Sequence, residues 1–200
     1  MGSKSNALIL FVKNARRGHV KTRLASFLGE EMALKIYLSL CEKIRDVCLA
    51  FPGQCYVYYS EYIPEKQDLW SKEVFIKRTQ CTSLDLGERM NSAFNDLCQL
   101  HETVLLIGTD IPHLTIDILK EATLALGDKD LVIGPSFDGG YYLIGMKNTN
   151  EFLFNKMTWS VDTVLEESIR RADSQNRSYH LLKPLPDIDT YDDWKKYGWF

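Results

Sequence analysis

The sequence predicts an α/β fold, a three-layer sandwich in which helices cover both faces of a mainly parallel sheet. Two observations carry this. Short, wholly apolar segments alternate from end to end with longer segments whose apolar residues recur at three- and four-residue steps. A hydrophobic content of 45% in 200 residues suits one globular domain spanning 1–200, with no repeat, low-complexity tract or linker to divide it.

The elements follow in order. ALILF (7–11) is wholly apolar and ends in a polar loop, which marks a buried strand. Arg17-Gly18 makes a turn, after which VKTRLASFL (20–28) begins a helical pattern. Over 30–51 the residues Ala33, Tyr37, Leu40, Cys41, Ile44, Val47, Cys48 and Phe51 form one apolar stripe, a long amphipathic helix closed by Pro52-Gly53. CYVYY (55–59) is the second strand, PEKQDLW (64–70) a short helix and VFIKR (74–78) the third strand. LGERMNSAFNDLCQL (86–100) gathers Leu86, Met90, Ala93, Phe94, Leu97 and Leu100 on one helical face. TVLLIG (103–108) is the most strand-like stretch; it ends in TDIPHLT and leads to a helix over 116–126. DLVIGP (130–135) and GGYYLIGM (139–146) are the fifth and sixth strands. VDTVLEESIRRA (161–172) is helical, SYHLLK (178–183) is extended, and DIDTYDDWKKY (187–197) closes the chain.

Composition narrows the function. With 24 basic and 27 acidic residues the net charge is −3, so nothing draws nucleic acid or an anionic membrane to the whole surface. No apolar run approaches the roughly 20 residues that span a bilayer. The N-terminus lacks an apolar signal region with a small-residue cleavage site, and Asn6 stands where myristoylation wants Ser or Thr. Cys41, Cys48, Cys55, Cys81 and Cys98 are odd in number, contain no CxxC pair and read as structural thiols. A cytoplasmic protein is expected. The His residues lie far from metal-ligand spacing, so no zinc site is expected.

In sheets of this kind ligands collect beyond the carboxyl ends of the strands. Three polar stretches fall there. After strand one, Lys13, Arg16, Arg17, Lys21 and Arg23 form a local basic segment in an acidic chain. Arg suits bidentate contact with phosphate and Lys point-charge neutralisation. The plain alternative is a solvated loop, but Lys21 and Arg23 fall in a first helical turn, where the dipole disfavours cations unless an anion offsets them. The segment is neither a Walker A loop nor GxGxxG. After strand four, Asp110 faces this loop and is placed to hold a hard divalent cation bridging phosphate oxygens. It could instead cap the following helix, although Thr115 stands nearer that helix start. After strand five, Asp138 precedes Gly139 and Gly140, which permit close backbone approach, and Tyr141 leads into an apolar strand. This turn is expected to line an acceptor or sugar site, with Asp138 as base or acceptor-binding group. Near the C-terminus, DIDTYDDW places Asp187, Asp189, Asp192 and Asp193 together, read either as a helix cap or as a second carboxylate reaching the metal.

FVKNARRGHVKTRLA, DLGERMNSAF, LLIGTDIPHLT, GPSFDGGYYLIGM and DIDTYDDW together resemble, in order and spacing, the DUF2064 or radical-SAM/selenodomain-associated transferases. These are predicted glycosyltransferases of the GT-A, nucleotide-diphospho-sugar transferase-like fold. The resemblance spans nearly the whole chain and departs where the family usually has proline, at Asn14 or Ala15. The KTRLA and DGG segments are also similar to phospholactate guanylyltransferases. The resemblance implies that Arg16, Lys21 and Arg23 hold nucleotide phosphates and that Asp110 and Asp189 bind Mg²⁺ or Mn²⁺. It places Leu86, Gly87 and Arg89 near base and ribose. It implies sugar transfer from a nucleotide sugar to an unknown small acceptor. Nucleotidyl transfer from a nucleoside triphosphate, releasing pyrophosphate, is the alternative, and a non-catalytic nucleotide-binding module a third.

Overall fold

The computed structural model describes residues 5–199; of the N-terminal stretch 1–11 read for a signal, only residues 1–4 lie outside the described residues. The strands are β1 (Asn6–Val12), β2 (Gln54–Tyr59), β3 (Phe75–Thr79), β4 (Thr103–Ile107), β5 (Leu131–Pro135), β6 (Tyr141–Met146) and β7 (Tyr179–Leu181). The helices are α1 (Thr22–Leu28), α2 (Glu30–Leu49), α3 (Leu86–Cys98), α4 (Ile116–Asp128), α5 (Val164–Ser174) and α6 (Tyr191–Tyr197). The strands form one sheet in the order β3-β2-β1-β4-β6-β5-β7. Of these, β6 alone runs against its neighbours, because the short turn after β5 returns the chain beside it and between β5 and β4. The fold is therefore mixed α/β with a mostly parallel sheet, as the alternation predicts.

Pleating sends alternate β1 residues to opposite faces. Leu8, Leu10 and Val12 pack with Tyr37, Ile44 and Cys48 of α2 and with Leu119, Ala122 and Leu126 of α4. Ala7 and Ile9 pack on the other face with Met90, Ala93, Phe94 and Leu97 of α3 and Ala172 of α5. A third cluster, Leu24, Ile36, Leu40, Ile188 and Trp194, ties α1, α2 and α6 together and fixes the C-terminal segment to the body.

The helix expected over 64–70 is absent; that stretch is turns and bends. The Asp68 carboxylate competes for the local donors, accepting from Trp70 N, Ser71 Oγ, Lys77 Nζ and the Tyr59 hydroxyl. An Asp so engaged favours turns over helix. Thr115 does cap α4, accepting from Ile118 N. At α6 the cap is Thr190, closed into a reciprocal box by Asp193, which leaves Asp189 one residue outside the helix. Among the described residues no helix is long and apolar enough to cross a membrane.

Candidate active site

Because β1, β4 and β5 are parallel, their carboxyl ends share one edge, and the three polar stretches converge there. Two adjoining clefts open on that edge, of about 410 and 430 Å³. They share Phe11, Lys13, Leu86, Gly108, Asp110 and Asp189. One lobe is cationic, lined further by Lys21, Arg23 and Arg89. The other is acidic and aromatic, lined by Asp138, Asp187, Tyr141 and Trp159, with Lys13 the only cation among its described lining residues. A further cavity of about 480 Å³ lies on the α2 side, walled by Tyr37, Tyr59, Tyr62 and Trp70; it shares Lys13 and Tyr37 with the cationic lobe but holds neither Asp110 nor Asp189.

An ion-pair knot divides the lobes. Lys21 precedes α1 in the left-handed region at φ 49°, and its side chain is buried. Its ammonium, 3% exposed, lies 2.7 Å from Asp110 Oδ1 and 3.9 Å from Asp189 Oδ1. It also donates to the Ile188 carbonyl. Ile188 N donates to Asp110 O at 2.9 Å, so the C-terminal segment is bonded to the β4 exit by backbone and side chain together. Arg23 Nη1 reaches Asp189 Oδ2 at 3.1 Å, and Thr109 Oγ1 donates to Asp110 Oδ1 at 3.2 Å.

The expected site residues divide accordingly. Lys13, Arg23, Leu86 and Arg89 line the cationic lobe, with Arg89 Nη1 steadied by Gln80 Oε1 at 3.0 Å. Lys21, expected on phosphate, is committed to carboxylates, because an ammonium this buried needs acceptors within the protein. Arg16 leaves the site for Glu61, 2.6 Å away, and Arg17 for Glu30 at 3.2 Å. Sequence spacing does not reveal that acids from the β2 exit and α2 meet these two. Gly87 lies outside both linings. It is buried where a Cβ would come within 2.6 Å of Phe154 O and 2.9 Å of Trp159, so close packing explains it.

Asp138 Oδ1 accepts from Gly140 N and from Ser136 Oγ, closing the turn after β5 and leaving Oδ2 for a ligand. Gly140 and Tyr141 line the acidic lobe. Gly139 supports it from behind: its φ is +86°, and a Cβ there would stand 2.0 Å from Asp162 O. Gly139→Ala should therefore cost about 1–3 kcal/mol and push the 159–163 strap off the cleft. Thermal melts would show the loss, and faster hydrogen exchange across 159–165 would locate it; an unchanged melt would mean the strap yields freely.

Among the lining residues, Asp187 stands out in the sequence only as one acid of the DIDTYDDW group, and Trp159 does not stand out at all. Asp187 has its carboxyl pushed up to about 6, by burial first, then by Asp138, Asp193 and Asp110. The signal was the DID alternation, which in an extended segment sends Asp187 and Asp189 to one side and buried Ile188 to the other. Trp159 comes from the segment between β6 and α5 and meets Tyr141 edge-on at 6.3 Å. An isolated Trp in a linker gives no periodic signal. Burial holds the Tyr141 hydroxyl well above the usual phenol range.

The donor set bears on a divalent ion. Among the described residues no three His, Cys, Asp or Glu converge as a metal site. Mg²⁺ sites commonly use one or two carboxylates completed by substrate phosphates and water, and Asp110 with Asp189 fits that pattern. Asp110, Asp138, Asp187 and Asp189 together line the cleft, and their gathered negative charge is what a divalent ion would offset.

The sequence profile of a family described as uncharacterized protein conserved in bacteria (DUF2064) matches residues 44–161. A Desulfovibrio desulfuricans G20 protein, proposed to be a nucleotide-diphospho-sugar transferase, superposes with a TM-score of 0.83 at 28% identity, covering 92% of this chain and 82% of that one. The 2-phospho-L-lactate guanylyltransferase of Methanocaldococcus vulcanius is 23% identical over 93% of this chain and 82% of its own length. The 4-diphosphocytidyl-2C-methyl-D-erythritol synthase of Anaerococcus prevotii shares the fold, with a TM-score of 0.61 at 12% identity over 98% of this chain and 95% of that one. The fold is thus that of nucleotide-diphospho-sugar transferases.

Proposed function

The chain belongs to the DUF2064 family, and from that premise we propose that it is a nucleotide-dependent transferase that moves a sugar from a nucleotide-diphosphate donor to a small acceptor. The observation that carries this reading is the abutment of a cationic lobe and an acidic, aromatic lobe along the edge they share at Asp110 and Asp189. A nucleotide sugar has the matching division: an anionic diphosphate joined to a neutral ring rich in hydroxyl donors. Carboxylates accept hydrogen bonds only, so Asp138 and Asp187 suit hydroxyl groups, while Tyr141 and Trp159 offer apolar faces to a ring.

In this reading Lys13, Arg23 and Arg89 hold the phosphates, and Asp110 and Asp189 hold Mg²⁺ or Mn²⁺. The metal, when bound, would neutralise charge developing on the departing diphosphate. The basic side chains act in the same sense, being aimed in advance at where that charge grows. Asp138, through Oδ2, orients the acceptor hydroxyl and takes its proton. Trp159 and Tyr141 wall the lobe against water.

Nucleotidyl transfer is the second reading, favoured by the similarity to a guanylyltransferase along nearly the whole chain. There the cationic lobe would take a triphosphate, and pyrophosphate would leave. One experiment separates the two. The protein is incubated with Mn²⁺ and a panel of nucleotide sugars and nucleoside triphosphates, and both the thermal shift and the released product are measured. Stabilisation by a nucleotide sugar with release of nucleoside diphosphate supports sugar transfer; pyrophosphate from one triphosphate replaces it with nucleotidyl transfer. No stabilisation by any nucleotide would sink both.

A further inference from the structure

The Lys21 ammonium is the most buried charge at the site, and it is aimed at the two carboxylates read as metal ligands rather than at solvent. Its surroundings are specific. Lys21 and Thr109 both engage Asp110 Oδ1, while Asp189 has Oδ2 on Arg23 and Oδ1 toward Lys21. Both carboxylates are therefore already paired with cationic side chains. A divalent ion joining them must share Asp110 with an ammonium that cannot withdraw into water, since the side chain is 3% exposed. Two like charges on one carboxylate repel, and with the lysine buried that repulsion is screened only from the open side of Asp110, which is 42% exposed. Arg23 differs: its side chain is 70% exposed, and an incoming phosphate can draw it off Asp189.

We propose that Lys21 is the resident counter-cation of the Asp110–Asp189 pair, a positioning residue that keeps the carboxylates in place and disfavours a divalent ion until nucleotide phosphates add their oxygens. Metal and nucleotide would then enter together. The second part rests on the nucleotide-dependent reading above; the first does not. Lys21 thereby leaves the phosphate ligands and becomes the group that sets the metal's dependence on the nucleotide.

The sign of one substitution separates this role from a structural one. A lysine that only holds the fold would, when lost, loosen the carboxylates and weaken metal binding. A counter-cation would, when lost, release them to the metal and tighten it. The full chain is titrated with Mn²⁺, following the electron paramagnetic resonance signal of the free ion, alone and with each of ADP, CDP, GDP and UDP. Wild type should bind Mn²⁺ weakly alone and roughly tenfold or more tightly with at least one nucleotide. Lys21→Met should bind Mn²⁺ alone roughly tenfold or more tightly than wild type, and Lys21→Arg should stay near wild type. Circular dichroism and a cooperative melt establish that each variant is folded. Lys21→Gln, which keeps a donor for Ile188 O and Asp110, is the second variant for the same titration. A folded Lys21→Met or Lys21→Gln protein that binds Mn²⁺ no better than wild type overturns the proposal. Tightening in the variants with no nucleotide effect in wild type would remove the nucleotide-dependent reading and leave Lys21 as counter-cation.

Discussion

Asp110→Asn should abolish Mn²⁺-dependent nucleotide binding while leaving the fold intact. Asp110 stands where β4 leaves the sheet, and its carboxylate meets Lys21 at 2.7 Å and the Thr109 hydroxyl at 3.2 Å. The amide keeps a carbonyl oxygen for both donors, so what is removed is mainly the charge. A neutral oxygen is a poor ligand for a hard divalent ion, and the site would be left with Asp189, already engaged by Arg23. Asp110→Ala is the harsher form, because it also leaves the Lys21 ammonium on the Ile188 carbonyl with Asp189 only at 3.9 Å. Breaking a buried pair costs about 3–5 kcal/mol, and the expectation here is about 1–3 because Asp110 is 42% exposed. The measurement is a thermal-shift series with Mn²⁺ and nucleotide. Wild type should gain about 2.7 kcal/mol at a hundredfold excess over the dissociation constant, and Asp110→Asn nothing. An undiminished shift in Asp110→Asn would take the aspartate out of the site.

The centre of the sheet was legible because β1, β4 and β5 are almost wholly apolar, as strands buried on both faces must be, whereas the edge strands β3 and β7 carry polar residues. ALILF, TVLLI and LVIGP read as buried strands in an alternating α/β chain, and the polar loops behind them mark the functional edge. Partners were harder to read than placement. Lys13, Arg16, Arg17, Lys21 and Arg23 look alike in sequence, yet Arg16 and Arg17 are drawn off by Glu61 and Glu30, residues 45 and 13 positions away. Lys21 pairs across 167 positions with Ile188, a contact that local pattern cannot encode. The role of Asp187 was hidden for a related reason: DIDTYDDW contains a cap, a box partner and two cleft carboxylates. Only the packing of Ile188 into the α1–α2–α6 cluster tells which acid does which. Trp159 became a wall of the site by docking against Gly87, whose missing side chain gives the indole its room.

That docking of the C-terminal segment leads to the largest stability effect expected, at Trp194. α6 has seven residues, too few to persist alone, and its capping box fixes only its first turn. What holds it to the body is Trp194, 9% exposed, packed with Leu24, Ile36, Leu40 and Ile188 and edge-on to Trp199 at 5.2 Å. Trp194→Ala should cost about 3–5 kcal/mol, because the surrounding helices cannot close over the space an indole leaves. For a chain of 200 residues that corresponds to a fall in Tm of about 6–20 °C. Trp194→Phe should recover part of it. The consequence for the site is specific. Ile188 shares this cluster and is bonded through its backbone to Asp110 and Lys21, so a loosened α6 also frees Asp187 and Asp189. Hydrogen exchange should accelerate over 185–197 well before the sheet responds, and Mn²⁺-dependent nucleotide binding should weaken in the same variant. If Trp194→Ala melted within a degree or two of wild type, α6 would have to be held by its cap and its surface contacts. The two C-terminal carboxylates would then sit on a segment far less constrained than the cluster implies.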